Sequence, residues 1–323
     1  MRNGVSDLPT LNRLPDAGTW DFGAGPYGLE PMILPAPGTF GPAELAEPPP
    51  AFAQAMEWID EDGTITGAVK PCEQPDTLYW FRWITGHQLS FIAWRLAAIR
   101  LSEVALLHWS ANDAIPELSN HIDAYSAMLL YTASCPRELY HRLIRPSMQL
   151  HHPAFSGSWA PDFGPVRHLL RGRLTMFEEC PRLADLRQAV LRCQLVHEYV
   201  ASRLVPDGVS LLRSWVPDNH RLDGRLLQLI YDNYFLTNRA PVRRSDVIAQ
   251  LLRRVVAVLR DLSANGMICE SDEDIAPLHT AGVIHCEQQI ASIVAEFGRR
   301  AIAGSQALDR PAYAFTVSIG RHY

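Results

Sequence analysis

Two histidines occupy positions where polar side chains are uncommon. From Thr77 onward, Trp80, Trp83, His87, Phe91, Trp94, Ala98, Leu101 and Ala105 recur at three- and four-residue steps, which places them on one face of a helix with His87 in an aromatic stripe. In the segment that begins near Pro181, the stripe is Leu183, Leu186, Val190, Cys193, His197, Val200 and Leu204. The pattern directs both imidazoles into the core. A buried imidazole without a partner loses about 1–3 kcal/mol of solvation, so each calls for a hydrogen-bond acceptor, a metal or a cofactor. Each could be an ordinary core histidine bonded to a carbonyl. A flat aromatic macrocycle between the two helices would explain both at once, because haem takes an imidazole on one face and needs apolar, aromatic walls.

Other metal chemistry fits less well. His197-Glu198-Tyr199-Val200-Ala201 begins like the zinc-protease pattern, but Ala201 stands where the second histidine is required. His151 and His152 are adjacent and cannot face one site from a helix. The six cysteines, Cys72, Cys135, Cys180, Cys193, Cys269 and Cys286, form no Cys-x-x-Cys pair and read as reduced thiols. Cys-x-x-Cys-His is absent, so the expected cofactor is non-covalent haem b with its iron.

The elements that must position these residues are helical. Periodic apolar segments predict helices over roughly 77–108, 120–133, 137–150, 164–175, 182–204, 224–236, 245–264 and 274–302, and no stretch alternates long enough for a sheet. Asn265-Gly266 and Gly304 supply stop signals, and Pro165 suits a first helical turn. Residues 1–50 are rich in Pro and Gly and predict an extended arm that wraps the body or a neighbouring subunit. The expected fold is all-α, a single helical-bundle domain over 51–323 with that Pro-rich arm. A chain of 323 residues, 47% hydrophobic and 20% charged, has enough apolar material for a full core. The net charge of −6 and the lack of a dense Lys/Arg run argue against nucleic acid as a partner. With no long apolar run and no leader-like start, the expectation is a cytoplasmic protein without membrane contact.

The run Trp83-Ile84-Thr85-Gly86-His87-Gln88-Leu89-Ser90-Phe91-Ile92-Ala93-Trp94 resembles the distal-helix signature of the tryptophan 2,3-dioxygenase superfamily. Cys193-Gln194-Leu195-Val196-His197-Glu198-Tyr199-Val200-Ala201 is similar to the axial-histidine helix of the haem-dependent L-tyrosine hydroxylases. Between them, Ile144-Arg145-Pro146 and the run from His151 to Trp159 resemble the superfamily's substrate-binding arginine and its Ser-Gly loop. The resemblance covers roughly residues 75–235, and the overall fold it implies is that of the tryptophan-dioxygenase-like haem enzymes.

By this resemblance, His197 is the iron ligand and His87 the distal catalytic group. Trp83, Phe91 and Trp159 would line the cofactor, and Arg145, Ser156 and Ser210 would bind the substrate, Arg145 through its carboxylate. Arg142, three residues earlier, is the alternative, as is a merely solvated Arg145. The implied reaction is hydroxylation of L-tyrosine at ring carbon 3 to L-DOPA with hydrogen peroxide, in natural-product biosynthesis, by a homo-oligomer. His87 would take a proton from peroxide and return it to the leaving oxygen. A relative attaches its haem through His-x-x-x-Cys, whereas His285 and Cys286 are adjacent here. Two other readings stand beside this one: a ring-cleaving haem dioxygenase acting on tryptophan or another indole, and a non-enzymatic helical protein.

Overall fold

The computed structural model describes residues 14, 22, 25–39, 41, 47–67, 70–205, 209–215, 223–267 and 273–306. Much of the predicted N-terminal arm, and Cys269, lie outside the described residues.

The all-α expectation is met. After a short strand β1 (Met32–Leu34) come α1 (Pro50–Trp58), α2 (Pro75–Ala105), α3 (Ala111–Thr132), α4 (Arg137–Leu139), α5 (Arg145–His151), α6 (Arg167–Leu170) and α7 (Leu183–Leu204). They are followed by α8 (Leu211–Ser214), α9 (Gly224–Tyr234), strand β2 (Thr237–Arg239), α10 (Arg244–Asn265), α11 (Ala281–Gln288) and α12 (Ile290–Gln306). α1 and α2 both open with proline in the first turn, where the missing N–H leaves no bond unmade. Asp76 adds the negative charge that a helix start favours.

Several boundaries differ from the sequence reading for identifiable reasons. α3 starts well before residue 120, because the Ser110 side chain caps it by accepting from the Asp113 N–H and because Ala114, Ile115 and Leu118 are fully buried. The helix expected over 164–175 shrinks to one 3₁₀ turn and α6, ended by Gly172 at φ +77°. The C-terminal segment is divided, with Pro277 in a 3₁₀ turn and a break at Gln289 between α11 and α12. The sequence also concealed a two-stranded sheet. β1, inside the expected arm, pairs in parallel with β2, with Met32 opposite Thr237 and Leu34 opposite Arg239. Met32 and Leu34 are fully buried, so this part of the arm packs into the body of its own chain.

α2 is buried almost all round rather than along one stripe. It packs against α3 and α10, and α3 in turn packs against α7 and α12. Charged residues on its far side are paired in the core. Arg82 holds Asp261 at 2.7 Å, and the same carboxylate accepts from the Tyr131 hydroxyl at 2.7 Å. Breaking such a buried pair strands the remaining charge, which costs several kcal/mol.

The crossing of α2 and α3 is set by Gly86. A Cβ there would lie 2.5 Å from Thr132 Cγ2 and 3.1 Å from Tyr131 Cδ1, so the two helices meet through a missing side chain. Gly86→Ala should therefore destabilise the fold by about 1–3 kcal/mol despite its better helix propensity. Urea unfolding measures this, and an unchanged or raised midpoint would show that the helices separate freely.

Candidate active site

The site begins with a local conflict in the chain. Pro146 has no N–H to give to the Arg142 carbonyl, so an ordinary α-helix cannot run through it unchanged. The backbone widens to a π turn at Tyr140–Ile144, and the Arg145 N–H reaches back to the Tyr140 carbonyl. Tyr140 and Arg145, at the two ends of this turn, both line one cavity of about 190 Å³.

That cavity also gathers Trp83 and His87 from α2, Ser156 from the loop after α5, and Ser210 from the start of α8. His87, Trp83, Arg145, Ser156 and Ser210, spread over more than a hundred residues of sequence, thus come together. Its remaining walls include Phe155, Tyr231 and Phe235. The volume is below the range typical of drug-sized ligands and suits one amino acid. A larger depression of about 520 Å³ lies at the α2–α3 turn, beside Leu107, Trp109 and Met176. It is open to solvent and holds none of the predicted site residues, so the smaller cavity is the candidate site.

His87 is half-buried and fixed on two sides. Its Nδ1–H donates to the Trp83 carbonyl at 2.7 Å, and its ring stacks on Phe235 at 4.4 Å and 19°. With the proton on Nδ1, the lone pair lies on Nε2, which has no partner among the described residues. Burial pushes the imidazole pKa down to about 4, partly opposed by the Trp83 carbonyl. His87 is therefore a neutral acceptor at physiological pH. Gln88 secures the arrangement from behind: its amide donates to the Phe235 carbonyl at 2.9 Å and to the Glu30 carbonyl at 3.0 Å, while its oxygen accepts from Arg254 at 2.8 Å.

The two arginines separate clearly. Arg142 is exposed and engaged with Asp76 at 2.5 Å. Arg145 is half-buried, donates to the Val209 carbonyl at 3.2 Å and meets the Tyr140 hydroxyl, with no carboxylate partner among the described residues. A guanidinium that lines a cavity without a counter-ion is prepared for an anion. Ser156 and Ser210 face the cavity with their hydroxyls already used locally, Ser156 accepting from the Ser158 N–H at 3.2 Å and Ser210 capping α8 at 3.3 Å.

Phe91, Trp159 and His197 do not line this cavity. Phe91 is buried behind it, against Tyr231 at 5.6 Å and Phe235 at 5.4 Å. Trp159 is half-buried between His152 and Phe155. His197 was expected in the core and is instead exposed. Val190, seven residues earlier on α7, is buried, so the apolar stripe holds there and fails at His197. Protein around the ring lowers its pKa by desolvation, and neither nitrogen has a partner among the described residues. α7 and α2 both lean on α3, where Trp94 meets Tyr125 at 5.0 Å and Cys193 lies against Ser126.

Sequence reasoning missed Tyr231 and Phe235. They stand four apart in the segment 224–236, and that spacing was the available signal.

Acid should loosen this structure. His87 and the buried His121, pushed down to about 3, both titrate below the value of about 6.5 expected in the unfolded chain. The folded state then binds fewer protons between about pH 6.5 and 4, so stability is full above that window and declines as pH falls through it. The expected loss from His121 alone is on the order of 3 kcal/mol. Melting temperatures at pH 7 and pH 4.5 test this. A profile equally steep in His121→Gln would remove His121 as a cause.

Residues 34–190 match the family model described as SfmD 3-methyl-L-tyrosine peroxygenase. The match covers just under half of the chain, taking in α2 with His87 and the Arg145 and Ser156 segments, and it ends in α7 ahead of His197. No curated protein matches the chain. No helix among the described residues is long and apolar enough to cross a membrane. With a cavity lined by an imidazole with an unpartnered nitrogen and by a guanidinium without a carboxylate partner among the described residues, and with this similarity to a peroxygenase family, the chain is an oxidoreductase enzyme.

Proposed function

We propose that the chain is a haem-dependent peroxygenase that hydroxylates L-tyrosine at ring carbon 3, forming L-DOPA and water from tyrosine and hydrogen peroxide. The observation that carries this reading is one cavity lined both by His87, whose Nε2 has no partner, and by Arg145, which has no carboxylate partner among the described residues. Arg145 binds the substrate carboxylate, and Trp83, Phe155 and Phe235 enclose its ring and keep water away. His87 Nε2 accepts a proton from peroxide and returns it to the departing oxygen, the work of a neutral imidazole whose Nδ1 is fixed.

The cavity is too small for a macrocycle together with a substrate, so haem would lie outside it, held by His197. The residues fit it in their chemistry: His197 offers a neutral, unpartnered nitrogen, and α3 packs against both histidine helices, its Tyr125 meeting Trp94 of α2. Haem bound through His197 supplies the iron that activates peroxide. Non-covalent attachment is favoured because the Cys286 thiol is fully buried and its pKa is pushed up to about 11. The family whose model matches is described as acting on 3-methyl-L-tyrosine, which makes that amino acid the natural competitor.

Haem-loaded protein, peroxide and L-tyrosine should give a catechol, detected by chromatography, with little product from 3-methyl-L-tyrosine. Full haem loading without catechol would overturn the reading. Oxygen-dependent ring opening of tryptophan in the ferrous state would replace it.

A further inference from the structure

Tyr231 is 2% exposed and lines the cavity, yet its hydroxyl has no hydrogen-bond partner among the described residues. Buried tyrosine hydroxyls are ordinarily paired, because one left unmade forfeits the hydration it had in the unfolded chain. The other cavity tyrosine is engaged, Tyr140 with Arg145, and the nearby Tyr234 hydroxyl pairs with Ser147 at 2.8 Å. Tyr231 is also rigid. Its ring stacks on Phe155 at 5.4 Å and 19°, and it rests on Phe235 at 4.8 Å, the same ring that stacks on His87. One aromatic ring, Phe235, thus touches both the Tyr231 and the His87 rings. Desolvation holds the Tyr231 phenol well above its ordinary range, so it keeps its proton and can donate.

We propose that Tyr231 is a specificity-determining residue whose hydroxyl donates to the ring oxygen of a phenolic amino acid, leaving His87 Nε2 for peroxide. This rests on the reading of the cavity as an aromatic amino acid site. A phenyl ring without oxygen would leave the Tyr231 hydroxyl buried and unpaired, and a site built to bond a hydroxyl rejects the analogue lacking it.

The test is equilibrium binding of L-tyrosine and L-phenylalanine to haem-loaded protein without peroxide. Wild type should prefer tyrosine by about tenfold or more. Tyr231→Phe should lose that preference, binding tyrosine more weakly and phenylalanine as well as or better than wild type, a pattern that a general disturbance of the fold would not produce. His87→Ala should keep the preference. If Tyr231→Phe retains the wild-type ratio, or if His87→Ala is the variant that loses it, the assignment is overturned while the aromatic site stands. If wild type binds neither amino acid, both fall together.

Discussion

A haem-loaded His87→Phe enzyme should turn over tyrosine and peroxide about 10²- to 10⁴-fold more slowly than wild type while keeping its haem. The size follows from the loss of a positioned proton acceptor, and phenylalanine is chosen because it preserves stacking on Phe235 at 4.4 Å and the enclosure by Trp83. What it removes is Nε2, together with the Nδ1–H bond to the Trp83 carbonyl. A stopped-flow record of peroxide consumption, beside product yield, separates proton transfer from substrate binding. Rates at the wild-type level would show that peroxide needs no help from this side chain. The pH profile adds a check: with the imidazole pushed down to about 4, activity should stay level between pH 8 and 6 and fall only below pH 5.

His197→Ala should abolish retention of haem, the largest effect expected of any single substitution here. The imidazole is exposed on α7 and unpartnered among the described residues, so its removal deletes a ligand without breaking a hydrogen bond in the protein. Folding should accordingly be little affected, with the helical circular dichroism and melting temperature of the apo protein close to wild type. Gel filtration after haem loading, read at the Soret wavelength, makes the distinction. A variant that emerges with full haem would place the iron on another side chain.

How much of this was legible in the residues depends on what each feature rests upon. The long helices α2, α7 and α10 follow from apolar periodicity, because local spacing and burial agree there. β1 does not. Three residues with Pro31 before them and Pro35 after them look like a loop, and they become a strand only because a partner more than two hundred residues away supplies the hydrogen bonds. His87 was readable as an inward residue of an aromatic helix. His197 was not, since its stripe predicts a buried side chain and the imidazole is exposed: spacing along one helix does not say whether another element covers the position. Arg145 could not be separated from Arg142 by sequence. The separation comes from Asp76 on another helix and from a π turn that Pro146 imposes. Tyr231 was hidden because its significance lies in a partner that it lacks.

The strand β1 has one further property. The Ile33 N–H donates to Gln250 Oε1 at 2.8 Å, and Gln250 Nε2 donates back to the Ile33 carbonyl at 3.0 Å. On the other side, the Met32 N–H donates to the Leu236 carbonyl at 2.8 Å and the Leu34 carbonyl accepts from the Ala240 N–H at 3.0 Å. A side-chain amide on α10 therefore stands in for a third strand and closes the edge along which another chain could add. A two-stranded ribbon in a helical protein would otherwise offer a template for pairing between molecules. Here one glutamine blocks the outer edge of β1, and the same residue clamps the N-terminal segment to the helix behind the site.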